Sequence, residues 1–174
     1  DGARERSEHF IYFSSSMVYG NFAKGEVDEE GLAKKVNFEN FLDRDVNAGF
    51  SGGEIKRSEL LQLMAQDADL LLFDEPESGV DLENISLIGN VISQLLQRDF
   101  KLNSQKSQKE LHEERTKMGL IITHTGFILD YMTADKGQVL FNGELTCTSN
   151  PREIFTCISE VGYEECVRCI IGNN

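Results

Sequence analysis

The sequence predicts an α/β fold, and three observations support this prediction. Two continuous apolar runs, "LLLF" at 70–73 and "LIIT" at 120–123, have the length and composition of strands buried in a parallel sheet. Between them, "ENISLIGNVISQLLQ" places apolar residues 85, 88, 92, 95 and 96 along one helix face. The order strand, helix, strand is typical of a parallel sheet core with flanking helices.

A strong helix is predicted before the first strand. Ser51 followed by Glu54 matches a capping box, in which each side chain satisfies a free backbone N–H group. The apolar face of this helix consists of Ile55, Leu60, Leu61, Leu63 and Met64. Upstream, residues 32–42 predict short helical pieces, and residues 1–25 form an N-terminal segment that we leave unassigned.

The C-terminal part predicts a β-hairpin followed by a helix. "QVLFNGELTCT" alternates around Asn142-Gly143, the favoured pair for a type I′ turn. "NPREIFTCI" begins a helix with Asn150 as its cap and Pro151 at its first position. Residues 98–118 interrupt the α/β pattern with a long polar stretch, which we interpret as a solvated insertion or a surface helix.

The composition indicates a globular domain with an acidic balance. The 174 residues are 40% hydrophobic and 27% charged, with a formal net charge of −13. Duplex nucleic acid and anionic membranes both require a basic face, so we expect neither as the main partner. No apolar run approaches the roughly 20 residues of a membrane span. The charged first residues do not resemble a signal peptide, so we expect a cytoplasmic protein without direct membrane insertion.

Four cysteines lie in the last part of the chain: Cys147, Cys157, Cys166 and Cys169. They do not resemble a disulfide framework, and a reducing cytosol is the simpler interpretation. The pair Cys166-x-x-Cys169 leaves two hypotheses open. We favour reduced thiols on a C-terminal helix; the alternative is a metal or redox site completed by the other two cysteines.

Polar side chains follow both predicted strands. Asp74 and Glu75 come directly after the first strand, and His124 follows the second. Open α/β sheets bind ligands at the carboxyl ends of their strands. There, one carboxylate can hold Mg²⁺, another can orient or deprotonate a water, and a neutral imidazole can bond a terminal phosphate. The alternative is that these are ordinary polar residues of turns.

The start of the capped helix offers a second candidate site. Gly52 and Gly53 would allow an anion to approach the backbone, and a helix N-terminus presents free N–H groups and a positive dipole end. The alternative is a simple capped helix without a ligand.

Taken together, "FSGGE", "LLLFDEPESGVD" and "IITH" resemble the ordered motif set of ATP-binding-cassette (ABC) ATPases, over residues 26–169. The ending "SGVD" and the stretch "ILDYM" after the histidine are most similar to the Suf-type iron–sulfur cluster assembly ATPases (SufC), in an archaeal-like branch. Transporter ATPases more often read D-E-P-T-S-x-L-D. The resemblance implies a partial P-loop NTPase fold, with residues 26–174 forming the C-terminal two-thirds of the domain.

The resemblance also implies a role for each candidate residue. Ser51–Glu54 would be the signature motif, which contacts the γ-phosphate of ATP bound by the opposing subunit. Asp74 would end the Walker B strand and help to hold Mg²⁺, and Glu75 would be the general base. Asp81 would close the D-loop that crosses the dimer interface, and His124 would be the switch histidine.

The cofactors implied by the resemblance are ATP and Mg²⁺. The implied partners are a SufB/SufD-like scaffold protein and, on ATP binding, a second copy of the chain or another ATPase subunit. Because phosphoryl transfer depends mainly on positioning and charge stabilisation, parts of two subunits can form one site. Hydrolysis at this dimer interface would reshape the scaffold for cluster assembly. The ATPase itself requires no iron–sulfur ligand.

The family pattern is incomplete at the front of this sequence. The 174 residues contain neither the Walker A motif G-x-x-x-x-G-K-[S/T] nor a recognisable Q-loop glutamine, and the first residue is Asp1 rather than Met. We therefore expect the chain alone to bind ATP poorly and to hydrolyse it negligibly. Three explanations stay open: a truncated product, a part of a longer chain, or a degenerate subunit that supplies its signature motif to a complete partner. The nucleotide-binding subunit of an ABC transporter is a further alternative.

Overall fold

The computed structural model describes residues 28–45, 48–98, 110 and 113–171, with side chains up to Arg168. The N-terminal segment and most of the polar stretch 98–118 lie outside the described residues. The chain divides into two compact units between Tyr131 and Met132. Each unit is described by itself.

The described part of the first unit begins with short helical pieces, as predicted. Helix α1 spans Glu29–Lys35, and Oδ1 of Asp28 caps it by accepting a hydrogen bond from the Gly31 N–H group at 2.9 Å. A 3-10 turn follows at Glu39–Phe41, and helix α2 then spans Gly52–Gln66.

Two parallel strands lie on either side of helix α3 in the sequence. Strand β1 spans Leu70–Asp74, α3 spans Leu82–Leu95, and strand β2 spans Met118–Ile122. The strands pair in parallel with Leu72 opposite Leu120. Both strand predictions are confirmed, although β2 begins at Met118 rather than at Leu120.

The core of the first unit follows the predicted helical stripe. The residues of α3 and its end that are buried include Ile85, Ile88, Val91, Ile92 and Leu96. From α2 and β1 the core receives Leu60, Leu63, Leu71 and Phe73. A 3-10 turn at Phe127–Asp130 packs against α3 and contributes the fully buried Ile128. The burial of apolar side chains therefore holds α3 against elements that are near it in the sequence and against the more distant 3-10 turn.

One face of the sheet is exposed, whereas the sequence predicts strands buried on both faces. Met118, Leu120 and Ile122 of β2 are 68%, 56% and 55% exposed. Alternate residues of a strand point to opposite faces. Gly119 faces Leu96 at the end of α3, so these three residues point the other way. Among the described residues, no second layer buries this side, which we call the open sheet face (Leu70, Leu72, Met118, Leu120 and Ile122).

The end of the polar stretch is attached to the folded unit. Oε1 of Gln97 accepts a hydrogen bond from the Thr116 N–H group at 2.9 Å. Lys117 Nζ lies 2.8 Å from Oδ1 of Asp67 and 3.5 Å from Oδ1 of Asp69. These contacts connect the residues before β2 to the end of α3 and to the start of β1, so this part is not a freely solvated insertion.

The second unit is a β-hairpin with two helices. Strands β3 (Gly137–Phe141) and β4 (Glu144–Ser149) pair antiparallel, and helices α4 (Pro151–Val161) and α5 (Tyr163–Ile171) follow. The turn residues Asn142 and Gly143 have φ angles of 51° and 83°, which confirms a type I′ turn. Oδ1 of Asn150 accepts from the Arg152 N–H group at 2.9 Å, which confirms the predicted cap. The small core consists of Val139, Cys147, Ile154 and Val167.

None of the helices among the described residues is both long enough and apolar enough to cross a membrane.

Candidate functional site

Helix α2 starts with the predicted capping box. Oγ of Ser51 accepts from the Glu54 N–H group at 3.4 Å, and Oε2 of Glu54 accepts from the Ser51 N–H group at 2.6 Å. Hydrogen bonds from the backbone and the side chain of Ser51 to the Glu54 carboxyl lower its pKa below the ordinary value. The N–H groups of Gly52 and Gly53 belong to the first turn, where no intrahelical acceptor exists. The two amides are therefore suited to an anionic ligand.

The two glycines of this turn face different parts of the same chain. A Cβ atom on Gly52 would lie 2.7 Å from the carbonyl oxygen of Gly79, in the turn that follows β1. A Cβ atom on Gly53 would lie 3.7 Å from Nδ2 of Asn84, which is an ordinary contact. Gly52 is thus required for close packing within the chain, a role that the sequence analysis did not anticipate.

Three phenylalanines from the segment that precedes Ser51 pack against one another. The ring centroids of Phe38 and Phe41 are 5.0 Å apart in a stacked arrangement, and Phe50 meets them edge-on at 5.5 and 5.6 Å. Arg44 lies over the Phe41 ring, with its guanidinium carbon 4.9 Å from the centroid. This aromatic cluster fixes the backbone that enters α2.

The carboxyl ends of β1 and β2 bring two of the predicted residues into contact. Asp74 is paired with Ile122 in the sheet register and is exposed. The Glu75 N–H group donates to the carbonyl oxygen of Ile122 at 2.8 Å. Oε1 of Glu75 lies 2.7 Å from Nδ1 of His124. The expectation that the histidine and the acids share one sheet edge is therefore met, while their chemical roles stay predictions.

Glu75 has an unusual backbone conformation. Its φ angle is 46°, in the left-handed region that is uncommon for residues other than glycine. Such conformations cost energy and concentrate at functional sites. Here the hydrogen bond to Ile122 and the contact with His124 hold the residue in place.

Asp81 caps helix α3 within its own chain. Oδ1 accepts from the Asn84 N–H group at 2.9 Å, and Oδ2 accepts from Asn84 Nδ2 at 2.7 Å. These two hydrogen bonds lower the pKa of the Asp81 carboxyl. The prediction for Asp81 from the sequence was a D-loop role only. An aspartate before an apolar helical stripe is nevertheless a recognised signal for a helix cap.

A buried glutamate near the site was missed altogether. Glu77 is 5% exposed, and its Oε1 accepts from the hydroxyl groups of both Thr123 and Thr125, the latter at 2.9 Å. Its Oε2 is buried and has no hydrogen-bond partner among the described residues. The stretch "DEPE" shows an acid where threonine is common in transporter ATPases, but it does not indicate that this acid is buried.

The cysteines are placed mainly in packing positions. Cys166 is 0% exposed and Cys147 is 7% exposed, and both are free thiols, as is the partly buried Cys157. Within the described ranges, no group of three or more His, Cys, Asp or Glu residues could hold a metal ion. The side chain of Cys169 lies outside the described residues. The burial of Cys166 favours the hypothesis of reduced thiols on a helix.

Comparisons with known proteins show which proteins the chain resembles. No family model matches the chain. It is 32% identical over 135 residues to the probable ATP-dependent transporter SufC of Escherichia coli (strain K12), covering 78% of this chain and 47% of that protein. It is 37% identical over 110 residues to the probable ATP-dependent transporter ycf16 of Cyanidium caldarium, covering 63% of this chain and 37% of that protein. The chain is therefore similar to the ATP-dependent ATPases of the ABC type over most of its own length.

The fold comparison agrees with this assignment. The structure matches MJ1267, an ATP-binding cassette of an ABC transporter, with a TM-score of 0.54 and 21% identity, covering 79% of this chain and 47% of that one. The predicted fold class, a partial ABC ATPase domain with a parallel core and a C-terminal hairpin plus helix, is confirmed. The chain spans less than half the length of the two curated relatives above.

The residues at the site fit the cofactors that an ABC-type ATPase implies. Mg²⁺ is usually held by one or two carboxylates together with substrate phosphates, and the exposed Asp74 provides one such carboxylate. The first turn of α2 provides free N–H groups of the kind that bind phosphate. ATP, when bound with Mg²⁺, would supply the phosphoryl group and most of the neutralising positive charge.

Proposed function

We propose that this chain carries the Walker B, signature and switch elements of a Suf-type ATPase subunit, which hydrolyses ATP at a dimer interface. The observation that supports the proposal most directly is the 2.7 Å contact between Glu75 Oε1 and His124 Nδ1 beside Asp74. A carboxylate and an imidazole in contact at the carboxyl edge of a parallel sheet suit the activation of a water molecule.

Each residue has a defined task in this proposal. Asp74 would hold Mg²⁺. Glu75 accepts the proton of the attacking water at a carboxylate oxygen. His124, kept in place through Nδ1, can accept a hydrogen bond from the attacking water at its other ring nitrogen and so align it. Ser51 and the two glycine amides of α2 meet the phosphate that the opposing subunit binds.

The proposed setting is the cytoplasm, where the ATPase acts on a SufB/SufD-like scaffold for iron–sulfur cluster assembly. The resemblance of "SGVD" and "ILDYM" to the Suf-type ATPases supports this assignment. An opposing ATPase subunit, either a second copy or a related chain, would complete the site. The net charge of −13 makes a nucleic acid an unsuitable partner.

The catalytic role is tested by supplying the missing phosphate loop. The chain is produced together with the amino-terminal part of E. coli SufC, and Mg²⁺-dependent ATP hydrolysis is measured. We expect hydrolysis only when both parts are present. We also expect Glu75→Gln to lower kcat by about 10²-fold or more, because the general base is lost. Glu30→Gln, which changes an exposed acid on α1, is the matched control.

The outcomes separate the competing hypotheses. Hydrolysis that does not respond to Glu75→Gln would contradict the proposed base. Two parts that associate but do not hydrolyse ATP would favour the degenerate subunit. That subunit should still stimulate a complete SufC whose own signature motif is inactive, and Gly53→Asp should abolish the stimulation by placing a negative charge near the phosphate.

A second candidate function follows from the names of the similar proteins. Both SufC and ycf16 are described as probable ATP-dependent transporters, and MJ1267 belongs to an ABC transporter. This chain would then serve as the nucleotide-binding subunit of a transporter. Affinity purification from native membranes and from cytosol distinguishes the two, since a transporter subunit should be recovered with an integral membrane protein and a Suf-type subunit with a soluble scaffold.

A further inference from the structure

The buried acid beside the site lies in the turn that leaves strand β1. Glu77 follows Pro76 in this turn, where the Ser78 N–H group donates to the carbonyl oxygen of Glu75 at 3.0 Å and the Val80 N–H group donates to that of Glu77 at 3.2 Å. The turn is therefore compact, and its geometry directs the Glu77 side chain inward, where it is 5% exposed. A glutamate is rarely buried to this extent unless its carboxylate has partners.

The partners of Glu77 flank one residue. Thr123 and Thr125 stand on either side of His124, and both hydroxyl groups donate to the same oxygen, Oε1 of Glu77. Oγ1 of Thr123 also accepts from the Gly126 N–H group at 2.9 Å. The backbone before and after His124 is thus attached to a single buried carboxylate, and hydrogen bonds to a charged acceptor are stronger than those between neutral groups.

His124 needs such an attachment because its ring has little packing of its own. Its side chain is 62% exposed, and it has a polar contact with Glu75, whose side chain is itself 39% exposed. A contact between two exposed groups contributes little to holding them in place. The orientation of the imidazole must therefore come largely from the backbone of residues 123–126.

We propose that Glu77 is a positioning residue, which clamps Thr123 and Thr125 and thereby holds the imidazole of His124 against Glu75. The clamp itself is independent of ATP, whereas its importance for hydrolysis rests on the proposed function. Glu77 is buried beneath the loop and acts through the two threonines, not on the substrate.

The unpaired oxygen supports a role beyond stability. Oε2 of Glu77 is buried without a partner among the described residues, so the carboxylate is incompletely compensated. Replacing Glu77 by leucine removes the desolvation cost of this carboxylate, and the half-buried Thr123 and Thr125 hydroxyl groups can turn to water. Glu77→Leu should therefore leave the chain folded while removing the clamp, and this separates positioning from packing.

The test uses nuclear magnetic resonance on the 174-residue chain, in which a His124→Gln variant identifies the signal of His124 among those of the three histidines. At a pH where the ring is neutral, the ring nitrogen shifts should show that His124 carries its proton on Nδ1, towards Glu75. In Glu77→Leu we expect a mixture of the two tautomers. We also expect hydrogen exchange of the Gly126 N–H group to become about tenfold faster or more.

Two further variants keep the proposal falsifiable. Glu77→Gln retains an acceptor oxygen and should restore both signals, and Glu30→Gln should change neither. Thr125→Val removes one hydroxyl at constant shape, and it should give a partial effect even if Glu77→Leu does not fold. A folded Glu77→Leu chain with an unchanged His124 tautomer and unchanged exchange at Gly126 would overturn the proposal, as would a Glu77→Gln chain as disturbed as Glu77→Leu. Because neither readout requires ATP, failure of the hydrolysis assay is a separate result.

Discussion

Gly52 and Gly53 are adjacent in the sequence but differ in how much space surrounds them. The first approaches the carbonyl oxygen of Gly79, and the second has room for a methyl group near Asn84. A signature motif read from sequence treats both glycines as phosphate contacts. The structure adds that one of them also allows α2 to pack against the turn after β1.

Substitution by alanine should therefore lower the free energy of unfolding at Gly52 but not at Gly53. Gly52→Ala places Cβ 2.7 Å from a backbone oxygen that cannot easily move, and we expect a loss of about 1–3 kcal/mol in the free energy of unfolding. Gly53→Ala meets only an ordinary contact and gains helix propensity, so we expect no loss. Urea unfolding followed by circular dichroism measures both. Equal losses in the two variants would contradict this account.

The two helix caps predict a pH dependence of stability. The pKa of Glu54 and that of Asp81 lie below their ordinary values of 4.5 and 3.8 in the folded chain, because hydrogen bonds from Ser51 and Asn84 favour the charged forms. A group with a lowered folded-state pKa contributes stability above its unfolded-state value. That contribution is lost as the pH falls through the folded-state value.

The double variant Glu54→Gln with Asp81→Asn tests this prediction, because both replacements can still accept hydrogen bonds but do not titrate. We expect its free energy of unfolding to decrease less steeply than that of the unaltered chain as the pH falls below 4.5. Urea unfolding at a series of pH values gives the two slopes. Identical slopes would show that these caps contribute no titratable stability.

Among the elements, helix α3 is the one on which most of the first unit depends. It presents a stripe of buried apolar residues to the core, and Gly89 lets the 3-10 turn at Phe127–Asp130 approach closely. A Cβ atom on Gly89 would lie 2.6 Å from Cβ of Tyr131. Because that atom is attached directly to the backbone, it cannot move aside without shifting the turn that follows His124.

Gly89→Ala should therefore destabilise the chain even though alanine favours helices. The gain in helix propensity is about 1 kcal/mol, and the cost of overpacking is about 1–3 kcal/mol, so we expect a net loss. Asn90→Ala, at the next and exposed position of α3, is the matched control and should be neutral or slightly stabilising. Thermal unfolding of both variants decides the matter, and a stabilised Gly89→Ala chain would contradict the packing argument.

The elements that could be predicted from the sequence are those determined by local chemistry. The capping box at Ser51, the type I′ pair at Asn142-Gly143 and the apolar runs of β1 and β2 all depend on residues close together in the chain. The burial of Glu77 could not be predicted, because its threonine partners lie 46 and 48 residues away. A pattern within a short window carries no information on such contacts.

For the molecule as a whole, the open sheet face is the largest departure from the predicted burial. Three of its members, Met118, Leu120 and Ile122, are more than half exposed. Exposed apolar side chains that are grouped on one face of a sheet favour association with another surface. The prediction of strands buried on both faces came from their continuous apolar runs, and the chain spans less than half the length of its two curated relatives.

We expect the chain alone to self-associate through this face, and Leu120→Thr to weaken the association. Threonine is compatible with a strand, and Leu120 is 56% exposed, so stability should change little. Ile121→Thr is the contrasting variant, since Ile121 is opposite the buried Phe73 in the sheet, and it should destabilise the fold instead. Sedimentation at several concentrations measures association, and an unchanged Leu120→Thr profile would exclude this face as the contact.

The cap at Asp81 has a consequence for any partner that reaches this corner of the molecule. Both carboxylate oxygens are already engaged by Asn84. A donor arriving from another subunit would share these oxygens with Asn84, and a contact that turns the carboxylate away from Asn84 leaves the first turn of α3 less well capped. Association at this position and fraying of the helix end are coupled through one side chain. Local order at the start of α3 is therefore a reporter of whether a neighbour has docked.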